Sequence, residues 1–443
     1  IAIFDEQGIG KTIMTLCAFD RLRQHDMIDK LIVVAPKSVL GSWSADTTKL
    51  FGEKYDFTLV TGSARQRRQQ ILAHSDILAT SYETVVNELA LLRSVISSRN
   101  TRYLLVVDES YFAKNPDAQR TQAVSELRAY CDRAIVLCGT PAPNSPHDLV
   151  QQVNIADQGV AFGNRPIPKD KDQAFSVIAD ALGDAIYLRR LKKDVLPNIP
   201  EKQIERVLFE LQPDQMAMYE RARGELILAV RSIDDHEFTR QLTSFLARRS
   251  ALAQICSHPG AIDPAYAETP AKHLALDRML HQLIDVKKEK VVIWAYYRYS
   301  LDEIAQRYNH YGLVRIDGSV SDTNARIEAI RRFQSDPEVR VFLGNAAAAG
   351  AGITLTAARH AIYESFSNQA AHYMQSVDRI HRRGQTRDVF IHVLLGHNTI
   401  EEVEFERILD KERSSRDLLG DIYEEPITRE QFLADLGVSI RIG

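Results

Sequence analysis

The segment Gly8-Ile9-Gly10-Lys11-Thr12 constrains this chain more than any other feature. A short apolar run, Ile1-Ala2-Ile3-Phe4, leads into Asp5-Glu6-Gln7 and the two glycines, and behind them Ile13, Leu16, Cys17, Phe19 and Leu22 suit a helix. A strand, a glycine-bearing loop and a helix that opens on Lys-Thr make a cradle for the phosphates of a nucleoside triphosphate. Loop and helix N–H groups point at the anion, the lysine adds a point charge, and the threonine hydroxyl can ligate Mg²⁺. The strict pattern has a further glycine where Asp5 stands, so the match is partial. A glycine-capped strand-to-helix turn is the competing reading, and it leaves the Lys-Thr pair unexplained.

A second feature lies well downstream. Tyr103-Leu104-Leu105-Val106-Val107 is a continuous apolar run, as expected of a parallel strand buried on both faces, and it ends in Asp108-Glu109. Two acids at the end of a buried strand are costly unless a cation or a reaction needs them. Ligands of open parallel sheets bind at the carboxyl ends of the strands. Asp108 is then placed to hold Mg²⁺ through water and Glu109 to orient the attacking water. An acidic helix N-cap is the bland alternative and would be preferred for the pair alone; beside Lys11-Thr12 the functional reading is preferred.

At 443 residues the chain is too long for one compact domain. Its apolar share of 45% and charged share of 26% are those of a globular protein. No stretch reaches the length of a membrane span and no signal peptide opens it, so no membrane partner is expected. The first residue is not Met and falls inside an expected core strand, so the chain is read as continuing upstream. Cys17, Cys131, Cys138 and Cys256 are scattered without a C-x-x-C, which indicates neither a zinc site nor a disulfide framework and fits a reducing interior. A net charge of −4 argues against indiscriminate binding of nucleic acid, so such binding needs a local basic groove.

Strands are expected at 31–36, 77–80, 103–107 and 134–138 with helical segments between them, giving a doubly wound α/β domain. A Gly/Pro/Asn/Lys-rich patch near 159–172 reads as a surface loop, and 213–257 as helical, with Arg240, Arg248 and Arg249 among apolar positions. Strands resume at 290–295, 313–318, 339–344, 360–363 and 389–395, a second α/β domain of similar make. The charged, helical stretch from about 400 to 443 reads as a solvated or docking helix. In the second domain, Arg379 and Arg382 are three apart and would share one face of a helix, suited to meeting a γ-phosphate across a cleft. A basic surface helix is the alternative. Ahead of them, residues 344–354 form a small-residue loop after a strand, where backbone or ligand can come close.

Taken together these residues resemble the Swi/Snf-type ATPases of helicase superfamily two. The likeness rests on Asp5-Glu6-Gln7-Gly8-Ile9-Gly10-Lys11-Thr12, Val34-Ala35-Pro36-Lys37-Ser38-Val39-Leu40 with Trp43, and Thr80-Ser81-Tyr82-Glu83. Asp108-Glu109-Ser110, Leu137-Cys138-Gly139-Thr140-Pro141, Leu188-Arg189-Arg190-Leu191-Lys192-Lys193-Asp194-Val195 and Gln375-Ser376-Val377-Asp378-Arg379-Ile380-His381-Arg382-Arg383-Gly384-Gln385 complete the ordered set. The resemblance implies two RecA-like, doubly wound parallel-sheet lobes with helical insertions between them. It divides the chain into an ATPase lobe at 1–195, a linker and helical insertion at 196–270, a second lobe at 271–412 and a charged tail at 413–443. It implies ATP and Mg²⁺ as cofactors, with Gly8, Ile9, Gly10, Lys11, Thr12 and Gly352 on ATP, Thr12 and Asp108 on the metal, and Glu109, Arg379, Arg382 and Gln375 in hydrolysis.

The implied partner is double-stranded DNA, met at Lys37, Ser38, Trp43, Thr80, Ser81, Ser319, Asn345 and Ala346; for Trp43, packing in the core is the preferred alternative. Relatives of this kind generally move along duplex DNA without separating strands. A strand-separating DNA or RNA helicase and a nucleotide-gated DNA-binding module are the other readings. Other subunits could be recruited through an upstream part or the C-terminal tail, in a prokaryotic cytoplasm or, in a eukaryote, the nucleus. Two departures stand out. Tyr111 replaces the histidine usual after the acids, which puts coupling to the neighbouring motif in doubt, and the upstream glutamine-bearing segment that reads adenine is not in the chain.

Overall fold

The computed structural model describes residues 1–97, 100–139, 141, 147–163, 165–196, 199–320, 323–349, 353–414 and 427–438. The chain divides after residue 198 into two compact units, one built on residues 1–198 and the other on most of the remaining chain.

The first unit holds a seven-stranded parallel sheet: β1 (Ala2–Ile3), β2 (Lys30–Ala35), β3 (Phe57–Leu59), β4 (Ile77–Ser81), β5 (Tyr103–Asp108), β6 (Arg133–Leu137) and β7 (Tyr187–Leu188). Their spatial order is β3-β4-β2-β5-β6-β1-β7. The apolar runs 31–35 and 103–107 sit in the middle, with helices burying both faces, as continuous hydrophobicity requires. Edge strands β3 and β7 did not stand out in the sequence: β3 is three residues long and half-buried, and β7 is two residues long and exposed. Register decides what the sheet presents. Ile3 of β1 and Asp108 of β5 both pair with Leu137 of β6, so the loop after β1 and the acids after β5 emerge side by side at the carboxyl end.

The second unit holds a six-stranded parallel sheet: β8 (Lys202–Phe209), β9 (Val291–Trp294), β10 (Leu313–Ile316), β11 (Val341–Gly344), β12 (His360–Tyr363) and β13 (Val389–Gly396). Its order is β10-β11-β9-β12-β13-β8. Edge strand β8 lies in the stretch read as linker and insertion. Its mixed sequence hid it, because Lys202 and Arg206 face the helix Ile400–Ser414 and pair with Glu412 and Glu406. Helices Pro213–Arg231 and Asp235–Ser257 pack in the same unit, with Phe238, Phe245 and Phe432 in ring contact.

The closing segment carries more core than a solvated helix would. Ile400–Ser414 buries Phe405 and Ile408, and Arg429–Asp435 buries Phe432 and Leu433. Among the described residues no helix is long and apolar enough to cross a membrane. All four cysteines are free thiols, three of them buried.

Candidate active site

The turn from β1 into the helix Lys11–Gln24 is shaped by two glycines, Gly8 at φ 84° and Gly10 at φ 97°, the second serving as the helix N-cap. L-residues adopt these left-handed values only at a cost, and turns of this hand gather successive N–H groups into an anion-binding concavity. The Lys11 ammonium is folded over the loop, with Nζ donating to the carbonyls of Asp5 at 2.8 Å and Glu6 at 3.3 Å. Burial pulls its pKa down, against the opposing pull of the Glu109 and Asp108 charges.

Asp5, where the strict pattern has glycine, has a structural reason to be an acid. Its buried carboxylate is gripped by the Arg190 guanidinium, with Nε 3.2 and 3.1 Å from the two oxygens. The neighbouring Arg189 donates to the carbonyls of Phe4 and Gly139, and Glu6 Oε2 accepts from the backbone N–H of Lys192 at 2.8 Å. The basic segment at 188–195 therefore clamps the front of the phosphate loop, a contact that only the opposite charges of Asp5 and Arg190 foreshadowed.

Asp108, the last residue of β5, is buried. Trp43 Nε1 donates to its Oδ2 at 2.9 Å, and the Glu109 N–H donates to its Oδ1 at 2.9 Å. Burial raises the Asp108 pKa, offset in part by the Trp43 bond and the Lys11 charge. The Tyr82 hydroxyl donates to the carbonyls of Asp108 at 2.8 Å and Glu109 at 3.3 Å, holding the backbone of the pair from behind. Glu109 sits at φ 50°, ψ 52°, a left-handed conformation that costs a non-glycine residue about 1–3 kcal/mol and collects at functional sites. Its Oε1 accepts from Gln7 Nε2 at 3.2 Å.

With Tyr111 in place of the usual histidine, hydrogen bonds still join the segment after the acids to the neighbouring motif. Ser110 Oγ donates to Gln152 Oε1 at 2.6 Å, and Gln152 Nε2 donates to the Pro141 carbonyl at 2.5 Å. The Tyr111 ring packs on Phe112, 4.4 Å between centroids. Thr140 lies outside the described residues. No individual role for Gln7, Tyr82, Ser110 or Gln152 is legible in the sequence, since an amide or hydroxyl that finds its partner across loops leaves no periodic signal.

The expected DNA-facing positions divide. Lys37 and Ser38 open the helix Lys37–Phe51 and are exposed, with Lys37 Nζ 3.9 Å from Glu83. Trp43 follows the alternative preferred for it: it is fully buried and spends its N–H on Asp108. Thr80 and Ser81 are both buried at the end of β4; Ser81 Oγ accepts from the Thr84 N–H at 3.2 Å, while Thr80 Oγ1 is enclosed without a partner among the described residues. In the second unit Ser319 is exposed beyond β10, with its N–H and hydroxyl turned to Asp317. Asn345 donates to the Tyr296 carbonyl at 2.9 Å and accepts from the Ala347 N–H at 2.9 Å, so it shapes the start of the short helix Ala346–Ala349, whose first residue, Ala346, is half-buried. Gly352 lies outside the described residues.

Arg379 and Arg382 do not share a helical face. The helix Ala370–Val377 carries buried Gln375 and ends before them. The chain then turns, because the Arg379 carbonyl accepts from the Leu355 N–H at 2.9 Å, Ile380 is fully buried, and Gln385 Nε2 donates to the Ala358 carbonyl at 2.9 Å. Tertiary contacts thus override the helical spacing, leaving Arg379 buried and Arg382 half-buried on a turn.

A family model described as an SNF2-related domain matches residues 2–261, and one described as a helicase conserved C-terminal domain matches residues 274–384. The chain is 26% identical over 441 residues to a Caenorhabditis elegans protein, the SWI/SNF-related matrix-associated actin-dependent regulator of chromatin subfamily A-like protein 1 homolog. That alignment covers 95% of this chain and 59% of that protein. It is 27% identical over 439 residues to the ISWI chromatin-remodeling complex ATPase ISW1 of Saccharomyces cerevisiae, covering 92% of this chain and 38% of that protein. The chain thus spans less than two thirds of the length of these relatives. Among solved structures, the Sulfolobus solfataricus SWI2/SNF2 ATPase core domain aligns at TM-score 0.44 and 24% identity, over 100% of this chain and 91% of that one. Because the first family model alone spans more than half of its length, the chain belongs to the SNF2-related family.

Proposed function

We propose that the chain is the ATP-hydrolysing motor of a Swi/Snf-type protein, a DNA-stimulated ATPase that moves along double-stranded DNA and remodels or displaces protein–DNA complexes. The observation that carries this reading is the register that sets the Gly8–Gly10 turn and Lys11 beside Asp108 and Glu109. The loop suits phosphate, because its glycines permit the required backbone and Lys11 is the loop's own cation. The site suits a divalent cation, because Asp108 is a carboxylate held against burial. Thr12 and Asp108 would hold Mg²⁺, which usually keeps several waters and takes the rest of its ligands from carboxylates and phosphates. The metal would neutralise charge on the phosphate oxygens.

Lys11 meets the β- and γ-phosphates, and Glu109 orients the water that attacks the γ-phosphorus. Arg379 and Arg382 supply fixed positive charge for the charge that develops on the transferred group. Lys37, Ser38, Ser319, Asn345 and Ala346 are the positions proposed to face DNA phosphates, a contact set that carries no sequence information. The named activities of the relatives, a chromatin-remodeling ATPase and a DNA annealing helicase and endonuclease among them, support a DNA substrate. The test is the steady-state ATPase rate of the purified chain with no nucleic acid, single-stranded DNA, duplex DNA and RNA. Duplex DNA is expected to stimulate most; equal stimulation by RNA, or none by duplex, would overturn the reading.

A further inference from the structure

Gln7 touches three loops at once. It sits in the phosphate loop between Glu6 and Gly8, and its Nε2 donates to Glu109 Oε1 at 3.2 Å. Gly139, which follows β6, comes so near that a Cβ there would lie 2.3 Å from Gln7 Cγ and 3.2 Å from Cδ and Nε2. Only a residue without a side chain leaves room for the glutamine stem at that point. The side chain is therefore packed by Gly139 on its way to the carboxylate of Glu109. β5, β6 and β1 are neighbours in the sheet, so this one residue links the loops that leave their three carboxyl ends.

The chemistry of the link suits the part Glu109 plays. The Glu109 backbone is in a left-handed conformation, which persists only where its surroundings over-determine it. Tyr82 fixes the backbone of the pair. An amide N–H fixes the direction of the carboxylate without adding a charge that would compete with Lys11 or neutralise the acid. A lysine or arginine at position 7 would do both. A methionine or leucine would fill the space beside Gly139 without this hydrogen bond to the carboxylate.

We propose that Gln7 is a positioning residue for hydrolysis: it aims the Glu109 carboxylate at the attacking water and ties that aim to the phosphate loop. The proposal rests on the reading of Glu109 as the water-orienting acid. Gln7 acts through Glu109, so its loss affects turnover and not nucleotide affinity.

The test is Gln7→Met, which keeps the stem against Gly139 and removes the amide. With saturating duplex DNA, kcat is expected to fall about tenfold, the scale of one hydrogen bond strengthened in the transition state. The binding of a fluorescent ATP analogue and the thermal midpoint are expected to stay at parental values. Gln7→Glu, an isostere that sets one carboxylate against another, is expected to lower kcat further. In a double-mutant cycle followed by single-turnover hydrolysis, Gln7→Met added to Glu109→Gln is expected to cost less than about twofold more, because the two residues act as one unit.

Parental kcat in Gln7→Met overturns the inference, and so does a full tenfold additional loss on the Glu109→Gln background. If Glu109→Gln is impaired while Gln7→Met is parental, the inference alone fails. If Glu109→Gln itself turns over at the parental rate, the assignment of Glu109 fails and takes the inference with it. Should Gln7→Met not fold, Gly139→Ala supplies the same test by driving the glutamine stem aside. It is expected to reproduce the loss of kcat, and parental kcat in that variant overturns the proposal.

Discussion

Asp108 is a buried carboxylate that accepts from an indole N–H and a backbone N–H, with Lys11 acting on it by charge. Its raised pKa means that the folded state holds the proton more tightly than the unfolded chain. Between the ordinary carboxylate value and the raised one, stability therefore falls as pH rises, and at neutral pH the charge is a net cost to folding. Asp108→Asn removes that charge and keeps one oxygen to accept from Trp43, but sets its NH2 against the Glu109 N–H that Asp108 Oδ1 accepts. With the relieved charge set against one lost hydrogen bond of about 1 kcal/mol, the thermal midpoint is expected to move by less than about 4 °C, while ATP turnover is lost. A midpoint that falls by more than that would show that the charged acid stabilises the fold and is not held there for catalysis. At this scale the sequence was legible wherever residue type and strand context combine: Lys11 after two glycines, two acids after an apolar run. It was silent where a partner arrives from another part of the chain. Nothing local to Trp43 says that its N–H is spent on Asp108, and nothing local to Asp5 says that Arg190 is the reason a glycine is missing.

Among the elements, the buried strands were readable because two covered faces demand a continuous apolar run, which β2 and β5 supply and β13 interrupts only at His392. Edge strands β3, β7 and β8 escaped because an edge tolerates short, polar or exposed sequence. The end of the helix Ala370–Val377 escaped for another reason: spacing says where a helix could continue, not where a distant N–H draws its carbonyl away. Polar ties of this kind also join helices. The fully buried Lys272, on the helix Ala271–Leu280, reaches Glu401 on Ile400–Ser414 at 2.5 Å and also donates to the Glu364 carbonyl. Burial pushes Glu401 up to about 6 even with that lysine beside it. Lys272→Met leaves the acid buried without its cation, at a cost of about 3–5 kcal/mol where the acid is ionised. That loss depends on pH, with a definite sign. Glu401 is raised above its unfolded value, and further without Lys272, so lowering the pH lets the folded state take up a proton and relieves the loss. Urea unfolding of the second unit is expected to show a larger deficit for Lys272→Met at about pH 8 than at about pH 5.5. Equal deficits would mean that Glu401 does not carry the effect.

At the scale of the whole molecule, two α/β units were legible because strand-and-helix alternation stops after the first sheet and resumes at 290–295. Assigning residues 199–270 to the second unit was not, since an edge strand and two packing helices carry no mark of the sheet they will join. The proposed chemistry is divided between the units: Lys11, Asp108 and Glu109 belong to the first, Gln375, Arg379 and Arg382 to the second. Turnover is then a property of both units, whereas nucleotide binding needs chiefly the phosphate loop of the first. Duplex DNA can raise the rate only if it binds one arrangement of the molecule better than others, since a ligand with equal affinity for all of them shifts nothing. Arg382 is half-buried on a turn, so its truncation removes a charge without opening a core. Arg382→Ala is expected to bind a fluorescent ATP analogue nearly as the parent does and to lose turnover on the scale of an arginine finger, about 10³–10⁵ in rate. Its residual rate should be indifferent to duplex DNA. Both quantities would be measured on one preparation, with Arg379→Ala beside it. If both variants keep DNA-stimulated turnover, the arginines do not meet the γ-phosphate, and the two-unit mechanism gives way to hydrolysis confined to the first unit.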